Sequence, residues 1–498
     1  MLLLLAACAG HDLDPELVPS PHVASAFRVE LDAPRGTARV WWSDGEDHAG
    51  PPTPVDGPSR LPLLGLPAGE RVRWWVEVEG EDGQLHASGT STLTVPQTPY
   101  DLPEFVLQVD RKPARLHDGY VLASRFDDPS PSHVVVLDGR GRVVWWQGDE
   151  GKGRITRVRP SLDGTGVLFL QEDRLVEQSF DGFTRRETAV RDTHHDLREL
   201  GDGTALVLEH DVVHGRILGY GEADYLNDRL VRVTLGDDDP THAEDLFSWE
   251  DDYPVSPWAP CAHVADTDFF GGAHEWVHAN SLLPAPDGGW WVHMRWLDGL
   301  VRLDADGSYV DQVGGRDGTW TFDPGAEFHH AHLSWAEIDG AVTRLWVFDN
   351  GSDHTVPIER TRLLEVELDE ATRHVTLLSE LDDPMGFGHV NFLGDVTPVP
   401  DSDHVLTSWA GRGAIAELDA DGDVVWGVQM HGGAVGRLHP LATLYPPTET
   451  SSNSARSSPA DSAWRKPPSV PSAASESSRL AAWSSRIRSS TVPSATSL

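Results

Sequence analysis

Residues 278–315 read "HANSLLPAPDGGWWVHMRWLDGLVRLDADGSYVDQVGG". An apolar opening run leads to a Pro-Asp-Gly-Gly turn and then to a second, tryptophan-rich run. A third run is closed by "LDADG", and a fourth ends on paired glycines. Short apolar runs punctuated by Gly- and Asp-centred turns signal successive antiparallel strands. The same order recurs in "GYVLASRFDDPSPSHVVVLDGRGRVVWWQGD" (119–149) and "ITRVRPSLDGTGVLFLQEDRLVEQSFDG" (155–182). It returns in the segments that begin "HHDLRELGDGTALVLEHD" at 194, "HHAHLSWAEIDGAVTRLWVFDNG" at 329 and "GHVNFLGDVTPVPDSDHVLTSWAGRG" at 388. Four short strands per unit, six times over, at roughly 30 to 55 residues each, predict an all-β six-bladed propeller spanning 103–445.

Outward from the repeats the pattern changes twice. Residues 26–95 alternate cleanly in "FRVELDAPRGTARVWWSD" and "LPLLGLPAGERVRWWVEVEGEDG", which predicts a small fibronectin III-like β-sandwich over 23–98. Residues 446–498 are rich in Ser, Pro and Ala without alternation, the composition of a tail that buries too little apolar surface to order itself. At the other end, "MLLLLAACAG" has the form of a lipoprotein signal remnant (1–8) in which Cys8 is acylated, followed by a spacer over 9–22. That reading makes the protein exported, periplasmic or cell-surface, and held at the outer membrane through a lipid anchor alone. Cys261 is the one other cysteine, so no intrachain disulfide framework is expected.

Composition narrows the function classes. With 39 basic against 79 acidic residues the formal charge is −40, which argues against a nucleic-acid partner. No G-x-S-x-G elbow is present, and "GDEGKGR" (148–154) lacks the spacing of a phosphate loop. "LDADGS" and "LDADGD" lack the closing Glu of an EF-hand and are expected only to turn the chain.

Histidines stand where blades open: His194 and His195, His278, His329 with His330 and His332, and His389. His278 and His330 each precede an Asp-Gly turn by nine residues, which places them at one end of the central channel. Arg295, at the end of the next strand, is expected at the same mouth. A lone histidine at such a place is usually a packing or hydrogen-bonding group; several in corresponding places, with an arginine, point to a shared site. His210, His214, His354 and His404 carry no such signal. Trp276, Trp290, Trp291 and Trp296 are candidates to stack aryl rings, although blade packing is the commoner use of such residues.

Together, "HHDLRELGDGTALVL", "EWVHANSLLPAPDGGWWVHMRWLDGLVRLD", "FHHAHLSWAEIDGAVTRLWVFDNG" and "GHVNFLGD" with "HVLTSWAGRGAIAELDADGDVVW" resemble successive blocks of the bacterial arylsulfotransferases over residues 26–445. The resemblance implies an exported six-bladed propeller that moves a sulfuryl group from an aryl sulfate to a phenolic acceptor, without a nucleotide donor or other cofactor and without a metal. It implies His330 as nucleophile, with His195, His278 and Arg295 as catalytic companions. Asn280, Trp276, Trp296, His194 and His389 are the expected substrate-binding residues. The sequence departs from the family where Ser-Arg-His-Gln is replaced by Met294-Arg295-Trp296-Leu297 and Gln-His-Asp by His329-His330-Ala331. Two other readings stay open at this point: a metalloenzyme ligated by His195, His278, His330 and His389, and a lipid-anchored propeller that only binds a ligand.

Overall fold

The computed structural model describes residues 13–99, 102–111, 114–126, 132–148, 155–217, 221–254, 273–315, 317–351 and 360–446. The signal remnant, Cys8, Cys261, most of "GDEGKGR" and the tail from 447 lie outside these residues. Among those described, no helix is long and apolar enough to cross a membrane.

The propeller is as expected. Six sheets, blades I to VI, each with four antiparallel strands or, in one case, five, and two of them with a short parallel strand added, stand around a channel. Their innermost strands are Ala434–Leu441 (I), Ile155–Pro160 (II), Thr193–Glu199 (III), Ala279–Pro284 (IV), His332–Asp339 (V) and Asp395–Pro398 (VI), each beside the next. Apolar alternation packs the sheets face to face: Trp249, Trp276, Leu282 and Val292 fill one junction, and Trp291, Leu333, Leu345 and Val366 the next. The "LDxDG" segments turn the chain. The Asp304 carboxylate accepts from the backbone N–H of Asp306 and Ser308, and Asp419 does the same for Asp421 and Asp423.

Ring closure departs from the reading of each repeat as a self-sufficient unit. The inner strand of blade I is Ala434–Leu441, from the far end of the chain, paired with Tyr120–Phe126. The outer strand of blade VI is Phe105–Asp110, paired with Val424–Met430. Both seams therefore join segments more than 300 residues apart in sequence, which no local turn signal announces. The channel consequently receives Arg437 and His439 from blade I, and Arg157 and Arg159 from blade II, where no blade-opening histidine occurs.

The N-terminal unit has seven strands. Phe27–Ser43 pairs with Glu16–Pro19 and Thr53–Leu63 through its first half and with Arg71–Gly80 through its second. Val29, Val40, Leu61, Val72, Trp74 and Val76 form its own core. The stretch expected as a spacer over 9–22 thus contributes a strand from Glu16. The unit is tied to blades I and II by Arg142–Asp44 (2.6 Å) and Arg28–Asp181 (3.1 Å).

Candidate active site

His195, His278 and His330 share an unusual backbone: all three are left-handed, with φ of 52°, 55° and 52°. Such geometry costs a non-glycine residue about 1–3 kcal/mol and persists only where the surroundings enforce it. In each case it falls at the start of the inner strand of blade III, IV or V and turns an imidazole into the same end of the channel.

Two of the rings meet directly. His195 Nε2 lies 3.2 Å from His278 Nε2. Behind them runs a chain of contacts: His194 Nδ1 to His195 Nδ1 (2.9 Å), Asp228 Oδ1 to His194 Nε2 (3.3 Å), and His278 Nδ1 to Glu275 Oε2 (2.8 Å). Both carboxylates are ionised: Glu275 is held at about 2, because the His278 charge and the bonds from His278 and Trp296 outweigh the effect of burial, and Asp228 lies well below the carboxylate range. Burial first, and neighbouring imidazoles second, push His194 down to about 4 and His195 well below its ordinary value.

His330 lies across the mouth. It is buried, its backbone N–H donates to Asp298 Oδ1 (2.7 Å), and its ring stands edge-on to Trp296 at 5.1 Å. Trp296 also packs edge-on to His278 (5.9 Å) and donates Nε1–H to Glu275 (2.8 Å), so one indole locates both histidines. The turn holding it is pinned by Arg295 N–H to His278 O and Trp296 N–H to Val277 O, both 3.1 Å. The Arg295 guanidinium lies 5.0 Å from the centre of the Trp296 ring and bonds Asn391 O (3.0 Å). His293 and His332 complete the lining. Burial pushes His293 down to about 3; burial, then Arg437 and Arg295, push His332 well below its usual value, so both are neutral.

The remaining expected residues divide. Trp276 has no exposed surface and packs in the junction of blades III and IV, a packing role and not a stacking one. Asn280 is fully buried, bonding Ala331 O, Ser281 Oγ and His293 Nδ1 (2.9, 2.9 and 3.0 Å); it ties blade IV to blade V beneath the mouth. His194 stands behind His195 and orients it. His389 is exposed, two residues from the Asn391 carbonyl that Arg295 holds. Sequence reading passed over Glu275, Asp228, His293, Asp298 and His210. Glu275 does have a signal, three residues before His278 in "HEWVH"; His210, read as uninformative, stacks on His194 at 3.6 Å and reaches Asp228 at 2.7 Å.

The proposed metal set does not assemble. Among the described residues the trio with donor atoms close together is His194, His210 and Asp228, all within 4.8 Å. A His210–Asp228 contact of 2.7 Å is a hydrogen-bond length, shorter than the spacing of about 3.3 Å between ligands around a tetrahedral ion with bonds near 2 Å.

Residues 106–422 match the family described as Arylsulfotransferase (ASST). No curated protein matches the chain. Similar solved structures include a protein of unknown function from Bacteroides caccae (13% identity, TM-score 0.38, covering 65% of this chain and 98% of that one). A streptogramin B lyase (12%, 0.34, 68% and 98%) and virginiamycin B lyase from Staphylococcus aureus (11%, 0.31, 66% and 100%) are others. These likenesses are too distant to bear on activity.

Proposed function

Since the chain belongs to the arylsulfotransferase family and is a sulfotransferase, we propose that it works through a covalent sulfo-histidine on His330, with an aryl sulfate as donor, a phenol as acceptor and no nucleotide. The observation that carries this reading is the meeting of His195 Nε2 and His278 Nε2 at 3.2 Å, at the mouth shared with His330 and Arg295.

In the first half-reaction a lone pair on a neutral His330 ring nitrogen attacks the sulfur. The S–O(aryl) bond breaks, its electron pair leaves on the phenolate oxygen, and that oxygen takes a proton from the His195–His278 pair. In the second, the acceptor phenol gives its proton back to the His195–His278 pair while its oxygen attacks sulfur. The N–S electron pair returns to the imidazole and the site is restored. Splitting the transfer lowers each barrier, and a positioned acid–base pair contributes on the order of 10²–10⁴-fold. Arg295 offers a planar fork to two sulfonate oxygens once it releases Asn391. Trp296 is the indole placed to face an aryl ring; Trp276 is not.

Turnover of a chromogenic aryl sulfate, with and without a phenol, tests the activity. Intact mass after donor alone tests the mechanism: one added sulfuryl group, stable to alkali and labile to acid, is expected in the parent and absent from His330→Ala. A parent that turns over donor yet never carries the group would remove the covalent step. Acylation of Cys8 and outer-membrane anchoring belong to the same proposal; unchanged fractionation of Cys8→Ser would remove them.

A further inference from the structure

Below the mouth, the inner strands of blades I, II and III aim alternate side chains into the channel: Arg437 and His439, Arg157 and Arg159, Asp196 and Arg198. Asp196 takes most of the ion pairing. Its Oδ1 accepts from Arg157 Nε (2.9 Å) and Arg159 Nη2 (2.9 Å), its Oδ2 from Arg159 Nη2 (3.0 Å), and Arg437 Nη1 lies 3.6 Å from Oδ2. Arg198 spends its donors on the carbonyls of Leu282 and Ser334. Arg437 spends its own on the carbonyls of Leu333 and Asn280 and the hydroxyls of Ser281 and Ser334. Carbonyls satisfy N–H groups but do not cancel charge. Among the described residues a second carboxylate, Asp395, stands beside Arg437 and accepts from the Leu438 backbone N–H at 2.7 Å. Four guanidiniums thus face two carboxylates in the middle of a protein whose overall charge is −40.

One guanidinium also keeps two donors without a partner. Arg157 has no exposed surface, and both its Nη1 and Nη2 are unpartnered; His439 Nε2 is likewise unpartnered. A buried cation left with free donors is strongly unfavourable, and a buried donor ordinarily finds an acceptor. Arg198 and His439, at the edge of the cluster, keep part of their surface exposed.

We propose that the channel between the inner strands of blades I, II and III is a binding site for a small tetrahedral oxyanion, sulfate or phosphate, held by the two free Nη groups of Arg157. The paired N–H groups at the end of a guanidinium match two oxygens of such an ion, and its charge offsets the excess of two. Arg437, bonded to Asn280 and Ser281 on one side and close to Asp196 on the other, makes this site the floor beneath the histidine cluster. The site does not depend on the transfer reaction and persists if His330 proves not to be the nucleophile.

The test uses the full chain carrying Arg295→Ala, which removes the anion handle at the mouth. Its thermal midpoint is followed against sodium sulfate, sodium phosphate and sodium chloride at matched ionic strength. A saturable rise with sulfate or phosphate, absent with chloride and absent when Arg157→Met is added, is the expected result; equal rises for the two oxyanions assign the class, and a rise with one alone assigns the ion. An unsaturable rise, one matched by chloride, or one that survives Arg157→Met overturns the proposal. Should Arg157→Met fail to fold, selenate soaked into crystals of the parent decides instead. Anomalous density within hydrogen-bond distance of Arg157 supports the site, and density only at Arg295 and the mouth overturns it.

Discussion

Replacing Glu275 by Gln keeps the shape of the side chain and removes its charge. The carboxyl is held at about 2 against an ordinary 4.5, because His278 and its bonds to His278 and Trp296 outweigh burial. At about 1.4 kcal/mol per tenfold, that difference is worth about 3 kcal/mol to the folded state at neutral pH. The sign follows from depression of an acid: the stabilisation is complete above 4.5 and is lost as pH falls toward 2. Glu275→Gln should therefore lower stability by up to about 3 kcal/mol at pH 7, read by denaturant titration, and the deficit should shrink below pH 4. The kinetic consequence is sharper. Without the carboxylate, His278 Nδ1 loses the charged partner that orients it, and the His195–His278 pair loses its use as an acid. For a poor leaving group such as unsubstituted phenol, kcat/KM should fall on the order of 10²–10⁴-fold. For nitrophenyl sulfate, whose phenolate leaves without protonation, the loss should be slight. The assay is a series of aryl sulfates of graded leaving-group basicity, with a shallow dependence in the parent and a steep one in the variant. Parallel dependences, however large the overall drop, would refute the role of Glu275 in protonating the leaving group.

His330→Ala should abolish both transfer and the mass adduct, while Arg295→Lys should form the adduct slowly, since Lys keeps charge and loses the fork; His329→Ala and His332→Ala serve as controls, and an adduct that disappears only in His332→Ala moves the nucleophile. Ending the chain after Pro446 should leave the thermal midpoint unchanged, whereas ending it at Gly433 removes the inner strand of blade I and should abolish cooperative unfolding by circular dichroism. His194, held at about 4 by burial and by His210, contributes stability that is complete above 6.5 and lost as pH falls toward 4; acid unfolding of His194→Asn should begin at lower pH than in the parent, and an unchanged acid midpoint would contradict the buried, neutral state of that ring.

The propeller was legible because its turns are chemical. Gly288, Gly307 and Gly340 take positive φ, and Asp304 and Asp419 cap their own turns, so the period shows in the letters. The seams were not, since "FVLQVD" and "AVGRLHPL" gain their partners only when the ring closes. Blade-opening histidines were legible as a set, and three of them do converge. What surrounds them was less so. Asp228 and His210 sit within long strands whose pattern serves blade III alone, and nothing local ties them to His194. Trp276 and Trp296 looked alike in sequence. One turns into a blade junction and the other out over the mouth, a difference set by the pinned turn of Arg295 and Trp296. The arginines of "ITRVRP" and "GRLHP" read as ordinary strand residues until the channel brought them together.

A ring sealed by its first and last strands also dictates when it can form. Until Ala434–Leu441 has been synthesised, Tyr120–Phe126 is an open edge presenting unpaired backbone to any passing strand, and blade I lacks the channel wall that meets blades II and VI. Contacts this distant along the chain make for slow closure and a long-lived incomplete circle. The histidine cluster, built on blades III, IV and V, gathers its local partners early, but its floor at Arg437 arrives with the final strand. The newly made chain is thus inert until its end has threaded back to its beginning, and the hazard it faces in that interval is pairing with a second copy of itself.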